Sequence, residues 1–142
     1  VVALTGRFLD HDTYWVNDVQ NKSFPWRDVV LKELIPAIEK KHFLGGSRDK
    51  RLIAGISMGS HGAFQLALTS GLFQCVAGHS LVVRDFKSMS QEFPGKFGDE
   101  EEFKKRDPLS LLGLYKKRSE LPIKRLWIDI GKTDPGGKHD YP

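Results

Sequence analysis

Apolar positions along the chain fall into short continuous runs separated by helical stripes. Arg51 to Ile56, Cys75 to Val83 and Arg125 to Ile130 are apolar runs of the length of buried strands. Val1 to Leu4 reads as the end of a further buried strand. Between about Trp26 and Lys41, Val30, Leu34 and Ile38 recur with Leu31 and Ile35 at spacings of four, which predicts one apolar face of a helix. Pro36 lies inside that pattern and is expected to kink the helix or end its first part. A second helix is predicted over Ser60 to Thr69, with Ala63, Phe64, Ala67 and Leu68 on one side. Pro108 to Tyr115 reads as a third, its proline placed where helices start. Residues 6–24 read as a loop and Gly45-Gly46-Ser47 as a turn. Residues 84–106 read as charged and irregular, with one short helix at Glu100 to Lys105.

Strands that are apolar throughout are strands buried on both faces. Alternating with helices, they predict an α/β fold with a mostly parallel sheet covered on both sides. The regular short alternating strands of an all-β sandwich are absent. Neither a Gly-x-Gly-x-x-Gly turn nor a Gly-x-x-x-x-Gly-Lys phosphate loop occurs, so the usual nucleotide sites are not predicted.

Composition narrows the class. At 142 residues the chain suits one domain, and 39% hydrophobic with 28% charged residues is a globular balance. No apolar run approaches the roughly 20 residues of a membrane span. A single cysteine, Cys75, excludes an internal disulfide framework and a cysteine-based metal cluster. The net charge is +4, and its basic residues are dispersed among acids, so no nucleic-acid groove is predicted. The chain opens on Val1 without an initiator methionine and closes in the turn-rich Asp134-Pro135-Gly136-Gly137. Both ends are therefore expected to be cuts within a longer domain.

Candidate chemistry lies in Gly55-Ile56-Ser57-Met58-Gly59, which has the Gly-x-Ser-x-Gly form of a nucleophile elbow. In such an elbow a strand turns sharply into a helix and presents the serine at the apex. Residues two before and two after must be small, here Gly55 and Gly59, or side chains would collide across the turn. The backbone N–H of Met58 would then face a developing oxyanion, and the helix adds its positive end. An apolar strand before Ser57 and a helix with Gly62 and Ala63 early in it after provide the context the motif requires.

A serine hydroxyl needs a base, normally histidine, and an acid to orient it. With the chain order Ser, acid, His, Asp134 is the expected acid, in the loop after the last strand, and Asp129 within that strand is its rival. For the base, His139 is the one histidine after Asp134, only five residues on. His79 follows a strand and is an alternative; His61 shares the helix with Ser57 and is expected to pack or point away. His11 and His42 read as surface residues.

Residues 26–142 resemble the esterase family of α/β-hydrolases, the group that includes S-formylglutathione hydrolases and feruloyl-esterase-like enzymes. The resemblance rests on Glu33 to Glu39, on Arg51 to Ala63, on Phe97-Gly98 to Asp107-Pro108, and on the Gly131 to Asp134 turn. It implies a three-layer α/β-hydrolase sandwich, truncated at both ends, with residues 1–142 as a single partial domain. It also implies Ser57 as nucleophile, Met58 N–H as one oxyanion donor and Asp134 as acid, a small-molecule ester as substrate, and no metal or organic cofactor. One departure is Ser60, where the family usually has glycine; serine is small, so the turn is expected to survive. In the family the catalytic histidine lies beyond residue 142 and the second oxyanion donor before residue 1. The resemblance thus implies a central fragment, from the fourth strand to the seventh, with little turnover by itself. Trp15, Phe86, Phe93 and Phe97 are candidates for an apolar pocket, or for packing. An acyltransferase and an incomplete, non-catalytic scaffold are the alternative functions.

Overall fold

The structure, a computed structural model, describes residues 1–8 and 11–131. Two short strands, β1 (Arg7–Phe8) and β2 (His11–Asp12), form an antiparallel pair inside what the sequence predicts as loop. Next comes one long helix in three parts. α1 (Trp26–Asp28) runs into a π-helical stretch, Val29–Leu34, and then into α2 (Ile35–His42). Pro36 thus falls where the π-helical stretch gives way to α2. Proline has no N–H for an ordinary helical bond, and the wider π register absorbs the mismatch, with Ile35 N–H donating to Val30 C=O five residues back. α2 ends at Phe43 in the left-handed region, φ 53°. From α2, Glu39 takes a two-pronged hydrogen bond from Arg51, at 2.6 and 2.7 Å, fixing the helix to the start of the next strand.

β3 (Leu52–Ile56), α3 (Met58–Ser70), β4 (Cys75–His79) and β5 (Arg125–Asp129) build the central unit. The three strands are parallel in the order β3-β4-β5, and Ile56, His79 and Asp129 stand in one row at their carboxyl ends. Ser60 to Leu68 of α3 are all buried. The helix lies close on β4: a Cβ on Gly78 would come within 2.7 Å of the Phe64 ring. Val30, Phe64, Leu66, Phe73, Val76, Leu81 and Leu111 make the main core.

Between β4 and β5 run α4 (Phe86–Glu92), α5 (Glu100–Lys104) and α6 (Pro108–Gly113). Each is capped by an aspartate that accepts a backbone N–H: Asp85 from Ser88, Asp99 from Glu102, Asp107 from Ser110. A second core joins this region to the early loop, through Tyr14, Val16, Met89, Phe97 and Phe103, with Met58, Phe86 and Phe93 against them. Among the described residues, no helix is long and apolar enough to cross a membrane.

Four further expectations change. Residues 1–4 form no strand; their side chains are exposed. The second strand stops at His79, because Ser80 adopts φ 47° and turns the chain. α4 replaces part of the predicted irregular segment. Among the described residues the sheet has one covered face: Leu52, Ile56 and Trp127 on the other are 66%, 63% and 53% exposed.

Candidate functional site

Ser57 sits between the last residue of β3 and the first of α3, at φ 52° and ψ −122°. L-residues rarely occupy this region, and holding serine there costs about 1–3 kcal/mol. Two features hold it. Ser57 N–H donates to His79 C=O at 2.9 Å, pinning the turn to the end of β4. Ser57 C=O accepts from Ser60 N–H, from His61 N–H and from the Ser60 hydroxyl. Although Ser57 occupies the capping position of α3, its side chain makes no capping bond, and the residue is exposed.

Gly55 makes the turn sterically feasible. A Cβ there would lie 2.0 Å from Gly59 O and 2.2 Å from Gly59 C, both backbone atoms that cannot step aside. Gly59 differs from the expectation that both glycines avoid a side-chain collision: a Cβ at 59 meets nothing within 4 Å. The crowding falls on Gly55 alone, because α3 brings the backbone of Gly59, and not its side-chain direction, against β3.

Met58 begins α3, so its N–H is among those without a partner inside the helix. Its side chain packs on the second core, and its methyl lies where a Cβ on Gly6 would be, 2.5 Å away. A cavity of about 820 Å³ borders Ser57, Met58 and Gly59 and runs along all five residues of β3, with Trp15 and Val1 to Leu4 on its other sides. Phe97, a candidate pocket residue, is fully buried, and Phe86 and Phe93 pack with it. Trp15 does line the cavity, with its ring seated on Gly62.

The histidines differ sharply. His61 is fully buried; neither ring nitrogen has a hydrogen-bond partner, and its ring meets Tyr14 edge-on at 5.2 Å. Burial pushes its pKa down from 6.5 to about 4, so it is neutral near pH 7. It packs, as the sequence reading expected. His79 is exposed, and its Nδ1 lies 2.7 Å from Asp129 Oδ1. A carboxylate only accepts, so Nδ1 donates in this pair, and in the neutral ring Nε2 is then the acceptor. His79 and Asp129, minor candidates in the sequence, thus meet one strand away from Ser57; their register across β4 and β5 is a long-range pairing that no local pattern reveals. Among the described residues, no group of three or more His, Cys, Asp or Glu side chains is placed to hold a metal ion.

Comparison with known proteins places this geometry. Residues 11–142 match the Esterase family, described as "Putative esterase". The chain belongs to this family. Among solved structures it is similar to an S-formylglutathione hydrolase from Agrobacterium tumefaciens, with 22% sequence identity and a TM-score of 0.67. The similarity covers 88% of this chain and 45% of that one, so the chain spans about half the length of that structural relative. The likeness shows an α/β-hydrolase fold. No curated protein matches the chain. Of the residues expected to serve an Esterase-family site, Gly55, Ser57, Met58 and Gly59 are gathered at one strand-to-helix turn. Asp134 and His139 lie outside the described residues.

Two outcomes follow from the site's packing. Gly55→Ala forces a Cβ into backbone atoms and is expected to lose about 2–3 kcal/mol in urea unfolding, whereas Gly59→Ala loses less than half of that. His61 yields a pH dependence. Between pH 6.5 and 4 the unfolded chain binds a proton that folded His61 does not, so its contribution is intact above 6.5 and is lost as pH falls through about 4. Full loss is worth about 3 kcal/mol, and His61→Gln is expected to flatten the stability curve in that window.

Proposed function

We propose that the chain provides the nucleophile of a serine carboxylic-ester hydrolase. Ser57 Oγ attacks the carbonyl carbon of a small-molecule ester, and its proton passes to a histidine. The tetrahedral oxyanion is held by Met58 N–H together with the positive end of α3. Collapse expels the alcohol, protonated by the same histidine, and leaves an acyl group on Ser57. Water, deprotonated by that histidine, then releases the acid. Asp134 orients the histidine, for which His139 is this chain's candidate. Family membership supports ester chemistry. The observation that carries the serine assignment is the exposed Ser57, strained at φ 52° between the end of β3 and the buried helix α3. Such strain persists only where surrounding contacts over-determine it, and it clusters at functional sites.

One observation favours a second assignment of acid and base. The His79–Asp129 pair has the internal geometry of a histidine oriented by a carboxylate, and it stands at the same edge of the sheet. In this version His79 Nε2 receives the proton and Asp129 replaces Asp134.

Both versions share Ser57. In the full chain, Ser57→Ala is expected to reduce p-nitrophenyl acetate hydrolysis by at least about 10³-fold, with circular dichroism unchanged. Hydrolysis at the wild-type rate in this variant would remove the serine assignment. His79→Gln and His139→Gln test the two candidates: a histidine that is the base loses activity on the same scale, and one that is not stays within about threefold.

A further inference from the structure

The buried Ser60 hydroxyl has no place in the reaction above, yet it makes the shortest contact at the turn. Its Oγ donates to Ser57 C=O at 2.6 Å, and the residue is completely shielded from solvent. The same carbonyl accepts Ser60 N–H at 2.9 Å and His61 N–H at 3.2 Å. One oxygen therefore takes three donors, all from the first turn of α3. The peptide that carries this oxygen also carries Met58 N–H. A trans peptide is planar, and its C=O and N–H point in opposite directions. Fixing the carbonyl into the helix thus fixes Met58 N–H out of the helix, toward the side where Ser57 is exposed.

One further contact, and the space beneath it, place the Ser60 side chain. Ser60 Oγ also lies 3.5 Å from Ser80 C=O, the other residue at the sheet's carboxyl edge with positive φ. Beneath Ser60, Gly78 leaves the space: a Cβ there would be 3.1 Å from the Ser60 Cβ. Ser60 is thereby wedged between the two turns that end β3 and β4.

We propose that Ser60 is a positioning residue: its buried hydroxyl clamps the Ser57–Met58 peptide so that Met58 N–H is aimed at the oxyanion before substrate arrives. The proposal rests on the reading of Ser57 as nucleophile. It explains why a polar side chain occupies a fully buried position against a carbonyl that already has two donors. Removing the clamp leaves no buried donor unpaired, because the hydroxyl departs with its proton. The loss is one of orientation, which acts on the transition state more than on ground-state binding.

Ser60→Ala in the full chain tests this. Its kcat for p-nitrophenyl acetate is expected to fall about tenfold with KM within about twofold. The Met58 amide resonance in 1H–15N spectra is expected to broaden or double as the peptide plane begins to rock. A purely structural role would lower the thermal midpoint while leaving kcat at low temperature and the Met58 amide as in the wild type; that result overturns the proposal. Ser60→Gly carries the same two readouts should the alanine variant not fold. Hydrolysis that survives Ser57→Ala overturns the nucleophile reading instead, and the Met58 amide then decides the clamp by itself: a sharp, unshifted signal refutes it.

Discussion

The contact between Gly55 and the Gly59 carbonyl sets how tightly β3 can turn into α3. With a Cβ at 55, the helix would have to start farther from the strand, and the serine between them would relax out of its positive φ. That one close approach connects the elements on either side. It lets α3 lie flat on the sheet, with Phe64 over Gly78, and this packing gives the helix nine consecutive buried residues. The main core is assembled around that helix, so part of its burial energy offsets the strain at Ser57.

The sheet's carboxyl edge works as a ladder of tied ends. Ser57 N–H donates to His79 C=O, and Ser80 N–H donates to Asp129 C=O. The His79–Asp129 side-chain pair ties the same two ends again. Ser57 and Ser80 both leave their strands at positive φ, and Ser60 lies between them. An edge bonded in this way has few soft degrees of freedom, which suits a site whose groups must be in place before the reaction starts. The second, aromatic core presses Met58 and the early loop against it from one side.

Much of this was legible in the sequence, and the reasons are physical. The three apolar runs announce themselves by composition and length, and the helix because nine of its consecutive residues are buried. Gly55 and Ser57 are legible because the turn has a fixed spacing. Other features were hidden. The strand expected at residues 1–4 is apolar in composition, but apolar residues alone do not supply a pairing partner. α4 was missed although Asp85 and Ser88 carry a capping signal, because its charged surroundings mask the short apolar face. The His79–Asp129 pair depends on register across the long crossover from β4 to β5, and the proposed role of Ser60 on three donors meeting at one carbonyl. Neither leaves a periodic trace.

Backbone strain at Ser57, held by its surroundings, is the central claim, and it can be measured without any substrate. Glycine adopts positive φ freely, whereas alanine keeps the Cβ that makes the conformation costly. The direct measurement is the unfolding free energy of Ser57→Gly against Ser57→Ala, by urea titration of the full chain. The account predicts that the glycine variant is the more stable by about 1 kcal/mol or more, despite glycine's greater entropy in the unfolded chain. An alanine variant as stable as the glycine variant, or more so, would contradict it.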